Sequence, residues 1–143
     1  TLGYLLRGIL EAWRFGGDAR YLDAATRLGT GLRSALRPDG RLPGRLRQDW
    51  QAAVTWDCLT GSVQVAHCWL ILFEATGDDS WRSAACSANA FVRQTVRIDA
   101  SEPGVRGGVA GSYPISGDYG RFEYLNWAAK FLIDAIQKEL DLG

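Results

Sequence analysis

The 143-residue sequence has no surplus of charge of either sign, with sixteen Lys and Arg against sixteen Asp and Glu. Without cationic excess, nothing draws in a nucleic-acid backbone or an anionic bilayer, so neither is expected as a partner. The single histidine, His67, and the lack of a Gly-x-Ser-x-Gly elbow leave little support for a Ser-His hydrolase. Cys58, Cys68 and Cys86 form no CxxC pair and no Cys/His cluster. Such an odd, irregular set is expected as reduced thiols, which makes the expected location cytoplasmic. No apolar run reaches membrane length, because His67, Lys130 and Asp134 interrupt the longest ones. The glycine-rich stretch from Gly104 to Gly111 lacks the Gly-Lys-Ser/Thr ending of a phosphate loop, which removes nucleotide binding. No metal and no cofactor are expected. There is no methionine, and the sequence opens at Thr1 inside a helical pattern, so it reads as a piece of a longer protein.

What is present is a globular balance, 47% hydrophobic and 22% charged, enough for one domain with a single core. The spacing predicts a first helix from Leu2 to Phe15, with Leu2, Leu5, Leu6, Ile9 and Trp13 on one stripe. Gly16-Gly17-Asp18 stops it, and a second helix runs to Leu36 with Tyr21, Ala24, Ala25, Leu28 and Leu32 in register. A third helix, Ser62 to Ala75, is apolar around nearly its whole circumference and is therefore expected to be enclosed. Thr76-Gly77-Asp78 leads into a fourth helix with Trp81, Ala84, Ala85, Ala88, Phe91, Val92 and Val96 inward and Arg82, Asn89 and Arg93 outward. A fifth helix runs from Tyr124 to Leu140, and the segments 37–61 and 98–123 are long loops.

The strongest pattern is internal. Gly17-Asp18-Ala19-Arg20-Tyr21-Leu22-Asp23-Ala24-Ala25 aligns without a gap on Gly77-Asp78-Asp79-Ser80-Trp81-Arg82-Ser83-Ala84-Ala85, sixty residues on. Each unit, 1–60 and 61–120, is helix, glycine turn, helix and long loop, followed by the final helix at 124–140. Stacked hairpins of this kind put both tight turns at one end and both long loops at the other. Long loops in a compact domain are uncommon and usually functional, so a cleft is expected at the loop end, over the start of the third helix. The fold class is thus all-α, an array of antiparallel helical hairpins.

The run Leu59-Thr60-Gly61-Ser62-Val63-Gln64-Val65-Ala66, then Trp69-Leu70 and the Thr76-Gly77-Asp78 turn, is one carrier of a resemblance. The other is Gly107-Gly108-Val109-Ala110-Gly111-Ser112-Tyr113-Pro114 leading to Asn126-Trp127-Ala128-Ala129-Lys130-Phe131. Together they resemble the C-terminal hairpins of bacterial α/α-toroid proteins, the superfold of terpenoid cyclases, prenyltransferase β subunits and six-hairpin glycosidases. The resemblance implies a six-hairpin ring, of which about five helices, an incomplete α/α toroid, are present here. It is specific for architecture and not for chemistry. The clustered aspartates of cyclases have no counterpart, since Asp57 stands alone in Trp56-Asp57-Cys58.

Candidate residues gather in the loops. Asp49, Asp57, Asp118 and Glu123 are the carboxylates within reach of the cleft, and Asp57 and Asp118 are the acid/base candidates. Asp57 has an alternative role as cap of the third helix. Trp50, Trp56, Tyr113, Tyr119 and Tyr124 could stack on sugar rings or fasten the loops to the helix ends, and Arg106 could bind an acidic group or a helix C-terminus. Asp57, Cys58 and His67 match the zinc ligand types of prenyltransferase β subunits, but adjacent side chains at 57 and 58 diverge and zinc is not expected. The leading expectation is an enzyme, or part of one, acting on carbohydrate or polysaccharide at the loop end. The alternatives are a non-catalytic binding or scaffold module, which could self-associate through unpaired helix faces, and isoprenoid chemistry, which needs a deep pocket lined by aromatics.

Overall fold

The computed structural model describes residues 1–143. Five helices carry the fold: α1 (Leu2–Gly16), α2 (Ala19–Ser34), α3 (Leu59–Thr76), α4 (Asp79–Thr95) and α5 (Asn126–Asp141). The only sheet is a two-residue pairing of β1 (Asp57–Cys58) with β2 (Ser112–Tyr113), so the chain is all-α in its main elements. No helix is long and apolar enough to cross a membrane.

The two tight turns are built alike. Gly17 and Gly77 both sit in the left-handed region, at φ 70, and each donates its N–H back into the preceding helix, to the Trp13 and Phe73 carbonyls. Asp18 and Asp78 then cap the following helices by accepting from the N–H groups of Arg20 and Ser80, at 2.9 Å in both cases. Side-chain hydrogen bonds from the Arg20 guanidinium and the Ser80 hydroxyl, with these backbone bonds second, favour the ionised carboxylates and hold both below the usual carboxylate range.

Helix α3 is the axis of the molecule. Twelve of its eighteen residues are buried, and it touches all four other helices. Contacts climb α1, α3 and α5 in the same direction. Gly3 packs against Gln64, Arg7 and Asp134 share a cavity with His67, and Lys138 pairs with Glu74. Leu6 and Leu10 from α1, Leu32 from α2 and Trp81 from α4 join Trp69 and Leu72 in the larger core cluster. A second cluster ties Leu59 and Val63 to Val92, Val109, Leu125 and Leu132.

Two expectations are corrected by the packing, and a third is extended. Helix α3 starts at Leu59 rather than Ser62, capped by the Cys58 sulfur, which accepts from the Gly61 N–H. Asn89 points inward rather than outward: it is fully buried and donates to Glu139 and to the Ala135 carbonyl of α5. Helix α2 meets the core through Ala25 and Leu32 of its expected stripe, with Leu28 packed beside them, and also through glycine. Gly29 lies under Leu72 and Trp81, where a Cβ would collide, and its carbonyl accepts from the Trp69 indole at 3.1 Å.

Both long connectors, residues 35–56 and 96–125, lie together beside the start of α3. Asp57 pairs with Tyr113 and Cys58 with Ser112, Pro43 bridges to Asp57, and Gly40 packs on Ser87 and Phe91 of α4. The Leu59 N–H is satisfied by the Gly111 carbonyl, so the second connector closes over the first turn of the buried helix.

Candidate functional site

A cleft of about 490 Å³ opens where the connectors meet the first turns of α3, bounded by Arg45, Trp56, Thr60, Gln64, Asp118 and Tyr119. Backbone geometry sets each part. The Gly44 N–H donates to the Trp56 carbonyl at 2.9 Å, and the Trp56 ring lies so close over Gly44 that a Cβ there would overlap it. Tyr119 is held at both ends. Buried Ser112 donates to its carbonyl at 2.7 Å and accepts from its N–H at 3.1 Å, while its phenol oxygen accepts from the Trp127 indole at 3.2 Å. Gly117 fits against both Ser112 and Trp56, and a side chain there would push the two walls apart.

The floor is polar within an otherwise apolar helix. Thr60 and Gln64 form it, with buried Ser62 facing the neighbouring opening, and no later buried residue of that helix carries an oxygen or nitrogen that prefers water except in the Trp69 indole. The Ser62 hydroxyl donates to the Cys58 carbonyl at 2.9 Å, but the buried Thr60 hydroxyl has no hydrogen-bond partner in the protein. An unpaired buried hydroxyl costs on the order of 1–3 kcal/mol, which a ligand reaching it would recover. Arg45 rises at the rim with its guanidinium 5.8 Å from the Trp56 ring, the arrangement of a cation over an aromatic face.

Of the residues singled out from the sequence, Trp56, Asp118 and Tyr119 come together here. The others do not. Asp57 is fully buried beneath the connectors, its carboxylate accepting from Arg41 Nε at 2.7 Å and from Arg37 at 3.3 Å. Burial raises its pKa, and the Arg41 hydrogen bond and the two guanidinium charges only partly offset that. Tyr113 packs edge-on against Phe91 at 5.3 Å with the Arg41 guanidinium close to both rings, so it fastens the same clamp. Trp50 covers Gly31 of α2 from a left-handed backbone conformation, φ 66, that a bulky residue adopts only when packing imposes it. Arg106 donates to the Ala100 and Ser101 carbonyls within its own loop. Asp49 accepts from the Gln51 N–H in a surface turn, Glu123 is exposed away from the cleft, and Tyr124 lies over Gly108.

The three residues weighed as zinc ligands are not brought together: Asp57 is in the arginine clamp, Cys58 caps α3, and His67 lines a separate cavity with Arg7, Lys130 and Asp134. Burial lowers the His67 pKa below its ordinary 6.5, helped by Arg7 and Lys138 and opposed by Asp134. Cys68 is enclosed by the core and its thiol is pushed up to about 12, the behaviour of a small apolar residue rather than a reactive one.

Sequence reasoning missed Arg45, Thr60 and Gln64. The signal was there for the last two, since polar residues confined to the opening turns of an enclosed helix have to face something polar. No family model, curated protein or solved structure matches the chain.

Proposed function

We propose that the chain binds a carbohydrate in the cleft at the start of α3. The observation that carries this reading is the pairing of two fixed aromatic side chains, Trp56 and Tyr119, with Asp118, Gln64 and Thr60 around one opening. A sugar ring needs an apolar face for its C–H groups and acceptors and donors for its hydroxyls, and this set offers both. Asp118 makes no hydrogen bond or ion pair within the protein and is exposed, so its two oxygens are free to accept from neighbouring hydroxyls.

The same geometry favours binding over hydrolysis. Glycoside cleavage by the common two-carboxylate route needs a second carboxyl group facing the first across the scissile bond. Asp57 is committed to Arg41 and Arg37, and Asp118 is the only carboxylate lining the cleft.

Isothermal titration with a panel of neutral mono- and disaccharides tests the reading. At least one member is expected to bind, and Trp56→Ala is expected to weaken it about tenfold through loss of the stacking face. A panel without a binder, or a Trp56→Ala protein that binds equally well, overturns it.

A further inference from the structure

Beside the polar cleft lies a second opening of about 420 Å³ with a different character. Its walls are Leu2 of α1, Leu32 of α2, Val65 of α3 and Leu42, Pro43 and Leu46 of the first connector. These six are aliphatic; Thr1, Arg45, Cys58 and Ser62 add polar atoms around them, and no carboxylate lines the opening. The two openings share Thr1, Gly44, Arg45, Cys58 and Gly61, so one molecule can occupy both. Trp56 lies over Gly44 and forms the shoulder between them.

From this continuity, and resting on the carbohydrate reading above, we propose that the ligand is an amphipathic glycoside: a sugar carrying a linear aliphatic chain. The sugar occupies the cleft of Trp56, Asp118 and Tyr119, and the chain enters the aliphatic slot. An apolar space of this size gains from an apolar occupant, because each buried methylene contributes about 0.8 kcal/mol, or roughly fourfold in affinity. A flexible chain fits the lining better than a flat ring does, since none of the slot residues offers an aromatic face. The same lack of π-faces disfavours a carbocation in the slot, which separates this ligand from the isoprenoid chemistry considered from the sequence. Arg45 at the shared mouth marks where the polar head ends and the chain begins.

The test is a titration series with methyl, butyl, hexyl and octyl β-glucoside, each below its micelle concentration, beside 1-octanol. Affinity is expected to rise with chain length, by at least a hundredfold from methyl to octyl, and 1-octanol is expected to bind more weakly than octyl glucoside. Leu46→Asp places a charge in the slot and is expected to bring octyl glucoside down to the affinity of methyl glucoside or below. If methyl and octyl glucosides bind alike, the slot is not part of the site and this inference falls while the carbohydrate reading stands. If 1-octanol binds as tightly as octyl glucoside, the slot takes the chain but the carbohydrate reading falls. If no member of the series binds, this inference falls, and the saccharide panel alone decides the carbohydrate reading.

Discussion

The carboxylate of Asp57 lies 2.7 Å from Arg41 Nε with none of its surface reaching solvent, so a residue whose position suggested chemistry is instead the pin that holds the two connectors together. Arg41 and Arg37 belong to the first connector, and Tyr113, the strand partner of Asp57, to the second. Arg41→Leu leaves a buried carboxylate with one weaker partner, and it is expected to destabilise the protein by about 3 kcal/mol. Urea denaturation reads this as a lower midpoint at unchanged slope. A loss below about 1 kcal/mol would show that the carboxylate is not relying on that pair.

Two helical glycines are expected to respond in opposite directions to the same substitution. Gly8 of α1 has open space where a Cβ would stand, so Gly8→Ala gains helix propensity and is expected to stabilise by about 0.5–1 kcal/mol. Gly31 of α2 gains the same propensity, but its Cβ would overlap the Trp50 ring. Displacing that ring costs about 1–3 kcal/mol, which outweighs the propensity gain, so Gly31→Ala is expected to destabilise. Thermal melts of the two variants decide it, and equal shifts would contradict the Trp50 packing.

His67 supplies a pH signature that a single resonance can follow, since it is the only histidine. Its folded pKa lies below the unfolded 6.5 because burial between α1, α3 and α5 disfavours the imidazolium, with Arg7 and Lys138 adding to burial and Asp134 opposing it. The unfolded chain therefore takes up a proton first as pH falls. The stability held by neutral His67 is complete above pH 6.5 and is lost as pH falls from there toward the folded value. NMR titration of the imidazole is expected to give a midpoint below 6.5, and His67→Gln is expected to remove its share of the acid-side slope. A midpoint at or above 6.5 would mean that Asp134 outweighs burial.

At the cleft, Asp118→Asn keeps the shape and removes the charge. Hydrogen bonds to a charged group contribute about 1.5–3 kcal/mol, so saccharide affinity is expected to fall tenfold or more with little change in melting temperature. Asp57→Asn is expected to do the reverse, lowering stability with the cleft residues left in place. Calorimetry and melting of the two variants side by side make the comparison, and similar behaviour of both would dissolve the distinction drawn between them.

The helices and turns were legible because they are written locally. Gly17-Asp18 and Gly77-Asp78 each stop one helix and cap the next, and an enclosed α3 follows from apolar residues on every side of it. The meeting of the two long loops at one rim followed from the alternation of helix directions. Which loop residues face the opening was not legible. Asp57 turns inward because β1 pairs with Ser112 and Tyr113 across more than fifty residues of chain, and no local pattern encodes that register. Asn89 turns inward because α5 presents Glu139 and the Ala135 carbonyl to it, partners invisible from the α4 pattern alone. Exposed Trp127 was read only as part of a motif, yet its indole holds the Tyr119 ring at the cleft.

The central claim is that the two connectors and the first turns of α3 form one saccharide-binding surface, and amide chemical-shift mapping during a saccharide titration tests it most directly. The account predicts that the shifted resonances cluster at Arg45, Trp56, Thr60, Gln64, Asp118 and Tyr119, drawn from three separate parts of the chain. Shifts confined to the outer surfaces of α2 and α4, or to one connector without α3, would contradict it.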